Sequence, residues 1–306
     1  MATDREPLVK NEDSPRGFAF ALTAYLLWGF LPFYMKGVAH IPALEVIAHR
    51  IVWSVPIAGV VLLALGRTAD VKRALRTPSV LAMACVTAAL ITFNWGIYVW
   101  AIANDRALDT ALGYFINPLF SIFMGAVLLK EKLSKAQIAA IMLAALAVAV
   151  LTYEAGSLPW ASLGLTFTWG FYAYFRKTLP VGPNQGFFLE VLLLTPAAIA
   201  YIIYIEATGQ GHFLLGNTYD TVMLACAGFA TAVPLMIYAN GAKLLRLSTI
   251  GIMQYIAPTM IFLIAVFIFK EPFGTARMIA FPMIWLALVL YSISMIRQYR
   301  QQEQTR

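Results

Sequence analysis

From residue 17 to residue 296 the chain is a near-continuous series of apolar runs separated by short polar connections. A membrane span needs about 20 mostly apolar residues. Ten runs qualify, at 17–36, 43–65, 79–103, 108–129, 135–153, 158–177, 185–205, 220–242, 248–269 and 275–296. Lipid offers no hydrogen-bonding partner to the backbone, so runs of this kind close their own bonds as helices. Composition agrees, with 61% hydrophobic and 12% charged residues, against about 25% charged in soluble domains. The expected fold class is all-α integral membrane with ten transmembrane helices. The polar start lacks a signal-peptide cleavage site, so the first run is expected to remain as a span.

Orientation follows from the basic residues. With both ends on one side of a ten-span arrangement, 17 of the 22 Lys and Arg fall on that side, four fall opposite, and Arg50 lies inside a span. Basic loops stay in the cytoplasm, so both termini are expected there. The same bias explains the net charge of +7 without a nucleic-acid partner, and no basic–aromatic interleaving suggests one. Cys85 and Cys226 lie in apolar runs, read as small buried hydrophobes without a disulfide. Three scattered histidines give no metal spacing, and there is no phosphate-cradling loop. No metal, cofactor or ATP dependence is expected.

The runs are not independent of one another. Phe115-Ile116-Asn117-Pro118, followed by Lys130-Glu131, recurs as Tyr255-Ile256-Ala257-Pro258, followed by Lys270-Glu271, at an offset of 140 residues. Trp28-Gly29-Phe30 recurs as Trp169-Gly170-Phe171, Pro56 as Pro196, Tyr98 as Tyr238 and Arg106 as Arg246. This divides the chain into a polar cytoplasmic tail (1–16), a five-helix repeat (17–154), a second five-helix repeat (157–297) and a cytoplasmic tail (298–306). Five is odd, so the second repeat crosses in the opposite sense. Inverted repeats around a midplane site mark secondary transporters. Pro118 and Pro258 fall near mid-span, where proline kinks a helix, and are read as hinges. The Lys-Glu pairs are read as anchors at helix ends, and Asp109 as a helix cap.

Ionisable residues inside spans usually face a cavity or a partner. Arg50 is the sharpest case. Glu45 and His49 share one face of the same helix at i,i+4, and Glu190 is the repeat equivalent of Arg50. Arg50 and Glu190 are expected to line one cavity, with Arg50 attracting an acidic group and Glu190 an amine or protons. Asn94, Trp95 and Tyr98 on the third span, Tyr114 and Asn117 on the fourth, Trp169, Tyr238 and Gln254 complete the candidate binding set. They supply amide hydrogen bonds and aromatic walls, or serve in interhelical packing.

These stretches resemble the RarD family of the drug/metabolite transporter superfamily, whose repeat is called EamA. The resemblance is carried by Trp28-Gly29-Phe30, Glu45 with His49-Arg50 and Trp53, Asn94-Trp95 with Tyr98, Leu112 to Pro118, Gln254 to Pro258 and Lys270-Glu271. It implies ten helices, the bacterial inner membrane and export of small metabolites or drugs. The expectation is a secondary transporter for a small polar or amphipathic compound, working by alternating access as a monomer or homodimer. Proton or counter-substrate coupling is open to it through Glu190, Glu45 and His49. No nucleophile, metal set or carboxylate pair suggests an enzyme. The alternative is a membrane sensor or assembly factor on the same fold.

Overall fold

The structure is a computed structural model and describes residues 14–128, 133–178, 181–242, 244–245 and 253–304. Lys130-Glu131 and Arg246 lie outside the described residues, as do 1–13 and 305–306 of the tails. The described residues form helices and no strands. They are α1 (Pro15–Gly37), α2 (Ala43–Ala64), α3 (Thr68–Leu75), α4 (Pro78–Ala103), α5 (Ala107–Leu128) and α6 (Lys135–Ala155). Then come α7 (Trp160–Thr178), α8 (Pro183–Ala207), α9 (Thr218–Ala242), α10 (Ile256–Leu263), a π-helical turn (Ile264–Ile268) and α11 (Thr275–Gln304). Among the described residues, seven helices are long and apolar enough to cross a membrane: α1, α2, α4, α6, α8, α9 and α11. The other three expected runs coincide with α5, α7 and the α10–π segment.

Local chemistry sets several boundaries. The Gly17 N–H donates to Ser14 Oγ at 2.9 Å at the start of α1, with Pro15 in the first turn, where its missing N–H costs nothing. Ser134 and Gln137 form a reciprocal capping box on α6. Gly156 then ends that helix at φ 63°, a left-handed conformation that glycine adopts without penalty.

Helix α1 packs on α9 and α10, and α7 packs on α4 and α5; α2 packs on α8 and α9, and α6 on α11. Small residues permit the closest approaches. A Cβ at Gly228 of α9 would stand 2.3 Å from the Trp53 carbonyl carbon of α2. A Cβ at Gly113 of α5 would stand 2.7 Å from the Ser162 carbonyl oxygen of α7. There Ser162 Oγ donates to the Asp109 carbonyl at 2.8 Å and Thr166 Oγ1 to the Gly113 carbonyl at 3.0 Å. The outer faces carry exposed Phe30, Leu63, Phe93, Met142, Ile203 and Phe229, as expected where lipid is the solvent.

Some expectations change. Cys85 and Cys226 are exposed on the apolar faces of α4 and α9, not buried; helix rotation, invisible to composition, turns them outward. Pro258 lies in the first turn of α10, where no helical N–H is lost. Met253 ahead of it is helical as well, and Pro118 is inside α5. Glu271 does not snorkel outward. It is 5% exposed, and its two carboxylate oxygens accept the Ala107 N–H at 2.7 Å and the Leu108 N–H at 3.0 Å, at the start of α5. Burial raises the Glu271 pKa above its ordinary value, while those N–H groups and Arg277 limit the rise. Asp109, read as a cap, instead accepts from Arg106 at 2.8 Å and Arg277 at 3.1 Å.

Replacing Gly228 by Leu drives a side chain into the Trp53 backbone. The expected cost is roughly 1–3 kcal/mol, read as a lower thermal midpoint of detergent-purified protein; an unchanged midpoint means α2 and α9 do not meet there. Glu271→Ala strands two buried N–H groups and is expected to cost about 1–3 kcal/mol. Glu271→Gln, keeping one acceptor oxygen, is expected to fall between Ala and the parent in the same melting experiment.

Candidate functional site

A cavity of about 160 Å³ lies within the bundle, walled by side chains from α1, α2, α4, α5, α7, α9 and α10 and by Gln254 just ahead of α10. Arg50 projects into it. The residue is 3% exposed, and its Nε donates to Thr231 Oγ1 on α9 at 2.8 Å. Its guanidinium carbon sits 4.7 Å from the centre of the Trp95 ring, a cation–π geometry. Its Nη1 is buried with no acceptor among the described residues, and so is the Tyr98 hydroxyl. Unsatisfied buried donors at a cavity wall are costly, and here two occur together.

The surrounding wall is aromatic. Tyr25, Trp28 and Tyr238 form a cluster with ring centres 5.3–5.7 Å apart. Tyr98 and Tyr114 stand 6.0 Å apart across α4 and α5. Asn94, Trp95, Asn117, Trp169, Gln254 and Pro258 also line the space. Asn94 in addition ties α4 to α7, its Nδ2 donating to the Leu165 carbonyl at 3.1 Å and to Thr168 Oγ1 at 2.9 Å.

Three candidate residues are not on the cavity wall. Glu190, the repeat partner of Arg50, is 1% exposed and accepts from the Tyr172 hydroxyl at 3.2 Å. Equivalence in sequence fixes its depth in the helix but not the direction it faces. Glu45 accepts the His212 N–H at 2.7 Å and pairs with His212 Nδ1 at 2.8 Å. His49 accepts from Trp53 Nε1 at 3.1 Å and packs on Phe213 with ring centres 4.7 Å apart. Several wall residues, Tyr25, Trp28 and Thr231 among them, are absent from the binding set expected from sequence. Thr231 lies seven residues before Tyr238, on the same helical face, and Tyr25 lies three before Trp28; those spacings were the available signal.

At one end of the bundle, polar contacts join the connections to each other. Lys36 at the end of α1 pairs with Asp105 between α4 and α5. Asp109 bridges Arg106 and Arg277, and Glu271 caps α5. His40, between α1 and α2, pairs with Asp220 of α9 at 2.8 Å, and His212 of the α8–α9 connection meets Glu45. That connection reads as nearly uncharged in sequence, yet it is pinned from both sides: Glu206 accepts from the Phe213 and Leu214 N–H groups.

Residues 15–153 match the EamA-like transporter family. The uncharacterized transporter PA0485 of Pseudomonas aeruginosa is 39% identical over 94% of this chain and 96% of its own. Protein RarD of Escherichia coli is 36% identical over 94% of this chain and 97% of its own. The uncharacterized transporter YojE of Bacillus subtilis is 34% identical over 95% and 98%. One solved crystal structure superposes on 90% of this chain and 96% of its own, with a TM-score of 0.57 at 17% identity, a likeness of fold alone. With these relatives and its apolar helices, the chain is a membrane transporter of the RarD family within the EamA-like transporters, a multi-pass protein of the bacterial inner membrane.

Proposed function

We propose that this transporter is a secondary carrier that moves one small polar or amphipathic metabolite by alternating access, in the direction of export. Its working parts are two inverted five-helix repeats, 17–154 and 157–297, with both termini cytoplasmic. The observation that carries the reading is the cavity around Arg50, walled by residues of both halves. A binding space between two repeats is where an alternating-access protein needs its substrate.

The helix register supports the duplication. Helices α2 and α8 begin at 43 and 183, α4 and α9 at 78 and 218, and α6 and α11 at 135 and 275, each 140 residues apart. Exchanging the halves maps the α1 contacts with α9 and α10 onto the α7 contacts with α4 and α5. Ten crossings with the basic residues inside put the polar, linked end on the periplasmic side.

In this reading that end is a closed gate. Its pairs differ in strength in a useful way. Lys36–Asp105 is substantially exposed, and such pairs contribute about 0–1 kcal/mol, so they break at small cost. The Glu271 cap is buried and is the firmer contact. Opening the gate separates the α1 end from the α4–α5 connection, and closure of the opposite end completes the cycle.

A cross-link across the gate tests this. In a Cys85→Ser, Cys226→Ser background, Lys36→Cys and Asp105→Cys joined by a thiol-cleavable bifunctional reagent should reduce flux in proteoliposomes to background. Cleaving the linker should restore it. Full flux through the cross-linked protein contradicts alternating access at this gate.

A further inference from the structure

We infer that the cavity selects organic monoanions: compounds with one carboxylate or comparable acidic group on a flat, largely apolar body. The inference rests on the transport reading for its biological meaning, but its evidence is the wall chemistry. Of the described residues lining the cavity, Arg50 is the one with a formal charge. Glu190, the anionic residue expected to share the cavity, is not among them and accepts from Tyr172. Among the described residues the wall therefore carries one positive charge and no carboxylate.

That charge is incompletely satisfied. A guanidinium stays protonated, and moving it from water into an apolar interior is expensive unless its donors are bonded. Thr231 takes Nε and the Trp95 face screens one side of the plane. Nη1 is left near-completely buried with no acceptor among the described residues, and the Tyr98 hydroxyl on the same cavity lining is equally unsatisfied. Both are donors, the kind of group a carboxylate accepts from. Tyr114 stands 6.0 Å ring-to-ring from Tyr98 on the same wall.

The remainder of the ligand meets rings. Tyr25, Trp28 and Tyr238 form one aromatic cluster at the cavity wall, and Trp169 adds another ring. Such walls favour stacking of planar apolar groups. An amine would meet Arg50 as a like charge. A zwitterion would leave its ammonium without a carboxylate partner on the wall. A chloride ion could occupy the Arg50 end but would leave the aromatic part of the cavity unused.

The test is binding to the purified, detergent-solubilised full-length protein, read by thermal shift and by calorimetric titration. The probes are indole-3-acetate, its neutral amide indole-3-acetamide, the amine tryptamine, and sodium chloride against sodium sulfate. The expected result is that the acid binds at least about tenfold more tightly than the amide and the amine does not bind. Acid affinity should follow the ionised fraction of the acid as pH falls. Arg50→Gln should erase the preference of acid over amide, and Arg50→Lys should keep part of it. If Arg50→Gln does not fold, Tyr98→Phe provides the second variant: acid affinity should fall several-fold while amide affinity is unchanged. Equal binding of acid and amide, preferential binding of tryptamine, or stabilisation by chloride matching that by the acid would overturn the inference. These readouts need no flux. Acid binding without transport would sink the carrier reading and leave anion selection standing, while transport of amines with no acid preference would do the reverse.

Discussion

A guanidinium held inside an apolar bundle organises this molecule. Arg50 is buried on α2, yet its hydrogen bond goes to α9 and its stacking partner is on α4. Three helices must therefore meet around one charge. They do so because small residues let their backbones close: Gly228 brings α9 against α2 at Trp53, one turn beyond Arg50. The Ser54 hydroxyl then donates to the Arg50 carbonyl at 2.6 Å, keeping that turn's polar groups satisfied. An arginine placed so expensively, with donors still unspent, is better understood as a binding element than as a packing element.

Much of the fold could be read from the sequence, because the bilayer demands a length and an apolar composition that few other environments do. The run boundaries coincide with observed helices to within a few residues for eight of the ten runs, and α11 continues to Gln304 past the expected end at 296. In the ninth run residues 248–252 lie outside the described residues; beyond them α10 holds Pro258 in its first turn and passes into a π turn after Leu263, a change of helix type that hydropathy does not register.

The candidate site was legible by residue type and less so by direction. Polar and aromatic residues within spans drew attention to Arg50, Asn94, Tyr98, Tyr114, Asn117 and Gln254, which all line the cavity. The 140-residue period also paired Arg50 with Glu190, but a helix rotation separates the two: one side chain faces the cavity and the other meets Tyr172. Glu45 and His49 were legible as a close pair but not as partners of His212 and Phe213, contacts made by a connection more than 160 residues away. Composition says little about such a connection, whose order comes from single side chains reaching to distant backbone.

Two regions thus divide the labour. The cavity holds one cation within aromatic walls, and the linked end holds its connections together by contacts of graded strength. Helices α1, α4 and α5 supply residues to the cavity, and their ends meet the linked connections. The most direct measurement is a structure of the full-length protein with a bromine-labelled indole carboxylate. The expected result is bromine density among Tyr25, Trp28 and Tyr238, with the carboxylate within hydrogen-bonding distance of Arg50 Nη1 and the Tyr98 hydroxyl. Density beside Glu190, or only on the lipid-facing surface, with the Arg50 cavity empty, would contradict it.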